Sequence, residues 1–211
     1  VLDAADGQLA RATGQVDRIG RFADSIADFW VNLWVPLATA RLLAPTVGVP
    51  LALLIGFATA ACLMLQCSLF VFYQVGFLES EGKSPVNRTD ESRRAEDLAA
   101  STLERRLQSL YLVLYGWQDR WMAAIDRVLR KTARVEAGSE RAWRADTLGL
   151  RLSSFLGLGT SLTGFGLLLL AGRPEWAMLW VLLGLNGLAL LALGYRALVL
   201  APRLRRAARR I

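Results

Sequence analysis

The chain has 211 residues, 54% of them hydrophobic, a formal net charge of +7 and no histidine. The missing histidine excludes Ser-His and Cys-His nucleophilic catalysis and any His-ligated metal centre. The apolar residues lie in long runs with Arg-rich segments between them, a membrane-protein pattern rather than that of a soluble core or a nucleic-acid-binding surface.

The chain opens Val1-Leu2-Asp3, without an initiator Met or a signal peptide. An apolar pair running straight into an acidic stretch reads as the end of a helix begun upstream, so a fragment lacking at least one membrane segment is expected. On a helix, Asp3, Asp6, Gly7 and Ala10 share one face, with Arg11 at its edge. Thr13 and Gly14 favour a turn. Asp17 reads as a solvated or capping charge. Gly20, Asp24 and Asp28 then recur every four residues, one stripe on the next helix. The spacing predicts a helical hairpin whose two polar faces meet.

Apolar runs follow at 22–43, 50–78, 152–171 and 175–200, each with the roughly 20 residues that a membrane span requires. Pro45, Gly48 and Pro50 break the chain between the first two, and a Gly-Arg-Pro-Glu turn at Gly172–Glu175 separates the last two. Cys62 and Cys67, five residues apart in one run, point in different directions and read as unpaired packing residues. Glycines 157, 159, 164 and 166 read as contacts for tight helix packing. Asn186 is given no role.

Between the two pairs lies a polar segment, 79–151. Its start, through about residue 92, reads as a loop. From 96 to 136 a helical period appears in Leu103, Leu107, Leu110, Leu114, Trp117, Trp121 and Ile125. This predicts one or two amphipathic helices at the membrane surface or against the bundle. Asp119 and Asp126 alternate with arginines there and read as a solvated face; Trp117, Trp121 and Trp143 read as interfacial anchors. The chain thus divides into 1–78 (polar hairpin and first two apolar runs), 79–151 (polar insertion) and 152–211 (a helix pair and a basic tail). The fold expected is an all-α polytopic transmembrane bundle. Of the 25 Lys and Arg, all but Arg41, Arg173 and Arg196 fall in 1–21, 79–151 and 201–211. The positive-inside rule puts those segments in the cytoplasm, and the carboxylates with them. The tail from Arg203 onward is expected to meet anionic lipid.

Four carboxylates on facing stripes at a membrane edge repel one another, and one arginine does not neutralise them. Two divalent cations do, and carboxylate oxygens suit hard ions such as Mg²⁺ or Mn²⁺. Gly7, Ala10 and Gly20 leave room for a nucleotide to approach the backbone, and Arg11 suits a phosphate. This set fits displacement at phosphorus.

The stretch Asp3-Ala-Ala-Asp6-Gly7-Gln-Leu-Ala10-Arg11, then residues 12–19, then Gly20-Arg-Phe-Ala-Asp24-Ser-Ile-Ala-Asp28 resembles the signature of the CDP-alcohol phosphatidyltransferase family. All eight fixed positions of that signature are present at the family's spacing. The resemblance implies a six-helix bundle, of which the start would be missing here. It implies Asp3, Asp6, Asp24 and Asp28 as ligands of two Mg²⁺ or Mn²⁺ ions and Asp28 also as the general base. Gly7, Ala10, Arg11 and Gly20 would line the site of a CDP-linked donor. The alcohol would attack phosphorus with CMP leaving, in a homodimer embedded in membrane lipid, with no nucleic acid involved. The family's acceptors include glycerol phosphate, serine, inositol phosphate, phosphatidylglycerol, and diacylglycerol paired with CDP-choline or CDP-ethanolamine. Lys83, Arg88, Arg93 and Arg94 are candidates for holding an acidic acceptor, although an ordinary cytoplasmic loop explains them as well. The 79–151 insertion departs from compact members. Two other classes compete: an Mg²⁺-dependent intramembrane prenyltransferase, which would release pyrophosphate, and a non-catalytic scaffold or transporter, which would release nothing.

Overall fold

A computed structural model describes residues 18–83 and 101–208, which are helical with no strand among the described residues. In chain order the helices are α1 (Arg18–Val47), α2 (Val49–Ser80), α3 (Thr102–Leu114), α4 (Gly116–Thr132), α5 (Glu140–Arg144), α6 (Thr147–Ser154), α7 (Leu158–Leu170) and α8 (Pro174–Ala208). The hairpin expected to lead from residue 3 into α1 begins outside the described residues.

Helices α1 and α2 form a tight antiparallel pair. Gly48 joins them at φ 84°, a left-handed conformation that glycine adopts without strain. Pro50 follows in the first turn of α2, where its missing N–H costs no hydrogen bond. The helices touch at Gly56, where a Cβ would lie 2.9 Å from that of Ala40. Three helical stretches are long and apolar enough to cross a membrane: Val49–Ser80, Glu140–Leu170 and Pro174–Ala208. Helix α1 has the length but is not among them, because Asp24, Asp28, Asn32, Pro36 and Arg41 interrupt its apolar sequence. The run at 22–43 is therefore a less apolar helix than its aromatic content suggests.

Helix α8 contains two π-helical segments, Trp180–Leu185 and Arg196–Leu200. A π turn loosens the regular ladder and exposes carbonyls to other donors. Gln66 of α2 uses one of them, donating from Nε2 to the Val181 carbonyl at 3.0 Å and to Asn186 Oδ1 at 2.9 Å. Asn186 thus joins a buried polar contact between α2 and α8. Of the four glycines expected at packing contacts, Gly164 lies against the Trp180 indole and Gly157 against Phe70. Gly159 and Gly166 face open space.

The helical pattern expected from 96 to 136 is two helices, α3 and α4, bent at Tyr115. Ser101 caps α3 by accepting from the Glu104 amide at 3.1 Å. Helix α4 lies on α2, where Ser68 Oγ donates to Gln118 Oε1 at 2.6 Å. Helix α5 closes on the end of α2: Arg144 pairs with Glu79 at 3.0 Å and Arg141 donates to the Ser80 carbonyl. Two residues differ from their sequence reading. Asp126 is 5% exposed and belongs to no solvated face. It accepts from Trp143 Nε1 at 2.8 Å, from Tyr73 at 3.3 Å and from Arg130 Nε at 2.9 Å. Trp143, 1% exposed, is a core residue and not an interfacial anchor. Trp117 and Trp121 are exposed, as anchors would be, and meet edge to face. Arg196 of α8 completes the cluster, stacking on the Tyr73 ring at 3.7 Å and donating to the Trp143 carbonyl at 3.0 Å.

Candidate active site

The first three turns of α1 carry Gly20, Asp24 and Asp28 on one face, as the four-residue spacing requires. Gly20 and Asp24 are exposed and Asp28 is half-buried, so the stripe descends from the surface into the bundle. Among the described residues no atom lies within 4 Å of the place where a Gly20 side chain would begin. Backbone at that point is therefore open to a ligand. Asn32 continues the stripe by one turn and is 3% exposed.

The elbow between α3 and α4 grips this part of α1. Tyr115 donates from its hydroxyl to the Ser25 carbonyl at 2.9 Å, between the two aspartates in sequence. Tyr111 stacks on Tyr115 at 5.1 Å and meets Phe22 at 5.4 Å, while Phe29 meets Tyr115 edge-on at 6.2 Å. Burial pushes the Tyr115 phenol above the ordinary tyrosine range, and the negative charges of Asp28 and then Asp24 act in the same direction. The hydroxyl therefore stays protonated and keeps donating. Sequence reading missed this clasp. Its only signal was the four-residue spacing of Tyr111 and Tyr115, which resembles any amphipathic face.

Tyr115→Phe keeps the ring and removes the donor. We expect a folded protein less stable by about 1 kcal/mol, the net worth of a typical hydrogen bond. Because the folded phenol titrates above the unfolded one, its contribution is complete below about pH 10 and falls as pH rises beyond it. Thermal unfolding of both proteins across that range checks this: the gap should narrow above pH 10, and a gap constant with pH would exclude the assignment.

Asp3, Asp6, Gly7, Ala10 and Arg11 lie outside the described residues, as do Arg88, Arg93 and Arg94. The structure thus brings together Gly20, Asp24 and Asp28 of the expected site, and Lys83 follows the end of α2. Among the described residues no group of three or more Asp, Glu, His or Cys side chains gathers to hold a metal. Asp24 and Asp28 nevertheless suit one: two hard oxygen donors a helical turn apart, at an open backbone, both acting on one phenol.

A polytopic helical protein with a carboxylate stripe at the mouth of its first described helix is the class that fold and site define. The family model for CDP-alcohol phosphatidyltransferase matches residues 1–123. The chain belongs to that family of membrane transferases, whose chemistry moves a phosphatidyl group from a CDP-alcohol and generally depends on a divalent metal. No curated protein sequence and no solved structure is significantly similar to it.

Proposed function

We propose that the protein transfers a phosphatidyl or related phosphoalcohol group from a CDP-linked donor, CDP-diacylglycerol in the first instance, to an alcohol, releasing CMP. The observation that carries this reading is the Gly20, Asp24, Asp28 stripe on α1, in register with the remainder of the family signature at Asp3, Asp6, Gly7, Ala10 and Arg11. In this reading Asp3, Asp6, Asp24 and Asp28 hold two Mg²⁺ or Mn²⁺ ions. When bound, those ions supply charge neutralisation at the phosphate and at the entering and leaving oxygens. Gly7, Ala10 and Gly20 admit the nucleotide, and Arg11 pairs with a phosphate.

Asp28, the more deeply set of the two described carboxylates, takes the proton from the acceptor hydroxyl. The alcohol oxygen forms a bond to phosphorus as the bond from phosphorus to the CMP oxygen breaks, and CMP leaves with that electron pair. The arginine distribution supports a cytoplasmic opening, with 79–151 an insertion on that side of the two membrane units 1–78 and 152–211. A homodimer is part of the same proposal.

The test is CMP release by the protein in mixed micelles with Mn²⁺ and CDP-diacylglycerol, across glycerol phosphate, inositol phosphate, serine and phosphatidylglycerol, and with CDP-choline plus diacylglycerol. Release should require one acceptor and fall to background in excess chelator. Full activity in chelator would remove the two-metal reading; silence with every pair would remove the transferase reading.

A further inference from the structure

The carboxylate stripe does not end at Asp28. Asn32 lies four residues on, on the same face, about 6 Å further along the helix axis at 1.5 Å per residue. Exposure falls steadily along the stripe, from Asp24 at the surface through half-buried Asp28 to Asn32 at 3%. Its neighbours along the chain, Trp30, Val31, Leu33 and Trp34, are all apolar. Its Oδ1 is buried and, among the described residues, has no hydrogen-bond partner. Buried Thr39 and Thr59 do have one, donating to the Val35 and Ile55 carbonyls; Gln66 Oε1, Trp180 Nε1 and Arg196 Nε and Nη2 are bare as well, but none of them lies on the α1 stripe. An amide oxygen left bare in an apolar stretch is costly to keep, and polar groups inside membrane proteins mark substrate paths.

Building on the transferase reading above, we propose that Asn32 forms the floor of the substrate site and accepts a hydrogen bond from the alcohol substrate. The reacting hydroxyl sits at Asp28, so the group at Asn32 must be a second donor on the same molecule. The ribose hydroxyls and cytosine amine of the CDP donor belong in this reading at Gly20, the exposed end of the stripe, and its glycerol part bears only ester and phosphate oxygens with no proton to give. Diacylglycerol has a single hydroxyl, which is consumed in the reaction. The acceptor is therefore an alcohol with a further O–H or N–H near the reacting carbon, such as a polyol or an amino alcohol, and not diacylglycerol.

The experiment compares the best acceptor with its analogue lacking the second donor, in wild type and in Asn32→Leu, by CMP release from the full chain in mixed micelles. The pairs are glycerol 3-phosphate with 3-hydroxypropyl phosphate, and serine with 3-hydroxypropanoate. Wild type should favour the natural acceptor by about ten- to a hundredfold in kcat/KM, the range for a buried acceptor left unpaired. Asn32→Leu should erase that preference and leave KM for the CDP donor within about twofold. Asn32→Ala repeats the comparison where leucine disturbs packing. A preference that survives both substitutions, or diacylglycerol as the acceptor, overturns the assignment. Metal-dependent CMP release by wild type keeps the transferase reading standing in either case, while its absence with every substrate pair removes that reading and this one together.

Discussion

Asp28→Asn is expected to fold as the wild type does and to lose turnover by about 10²–10⁴-fold, the usual worth of a positioned general base. The amide keeps the shape of the carboxylate and leaves α1 its packing against the Tyr115 clasp. It does not take the proton of the acceptor hydroxyl. Removing one of two like charges a turn apart also relieves repulsion, so the unfolding temperature should hold or rise. Asp24→Asn makes the comparison informative. Asp24 is exposed at the mouth of the stripe and is assigned only to metal, so its loss should be offset in part by raising Mn²⁺. Asp28→Asn should not be rescued at any metal concentration. Initial rates of CMP release against Mn²⁺ for the three proteins separate the two roles. Near-normal turnover in Asp28→Asn at saturating metal would show that the proton leaves by another route.

Some features were legible in the sequence because they depend on neighbours along the chain. The turn at Gly48 was marked by that glycine and by Pro50, although Pro45, read as a breaker too, lies inside α1, and the stripe of Gly20, Asp24 and Asp28 was marked by helical spacing alone. Other features depend on partners far away in sequence. Asp126 takes hydrogen bonds from Tyr73 and Trp143, 53 and 17 residues distant, and nothing beside Arg127 and Arg120 distinguishes it from a solvated charge. Tyr115 looks like one more member of an apolar stripe until α3 is laid on α1. Asn32 is hidden differently: among tryptophans and aliphatics it reads as a minor blemish in an apolar run. Only its burial, together with the bare oxygen, gives it meaning. The π turns of α8 carry no sequence signal; they lie where that helix meets partners distant in sequence, Gln66 at Val181 and Trp143 at Arg196.

Asp126→Leu is expected to be the most destabilising substitution outside the stripe, by about 3–5 kcal/mol, as when one partner of a buried charged cluster is removed. Leucine fills a similar volume but strands three donors. Trp143 Nε1 and the Tyr73 hydroxyl are left inside the protein without their acceptor, and Arg130 keeps only its 2.7 Å contact to Glu140. The damage should spread, because Asp126 ties α4 to α2 and α5, and Arg196 ties the same two rings to α8. Asp126→Asn is the control. Its amide oxygen still accepts from Trp143, and the lost ion pair with the partly exposed Arg130 should cost only about 1 kcal/mol. Thermal unfolding in detergent ranks the two, and limited proteolysis locates the effect: cleavage of Asp126→Leu should begin within α3–α5 while α2, α7 and α8 stay protected. Equal, small losses in both variants would mean that apolar contacts hold the insertion to the bundle and that the cluster is incidental. A large loss confined to leucine would identify the buried acceptor oxygen at position 126 as the pin that keeps the Tyr115 elbow, and with it the start of α1, in place.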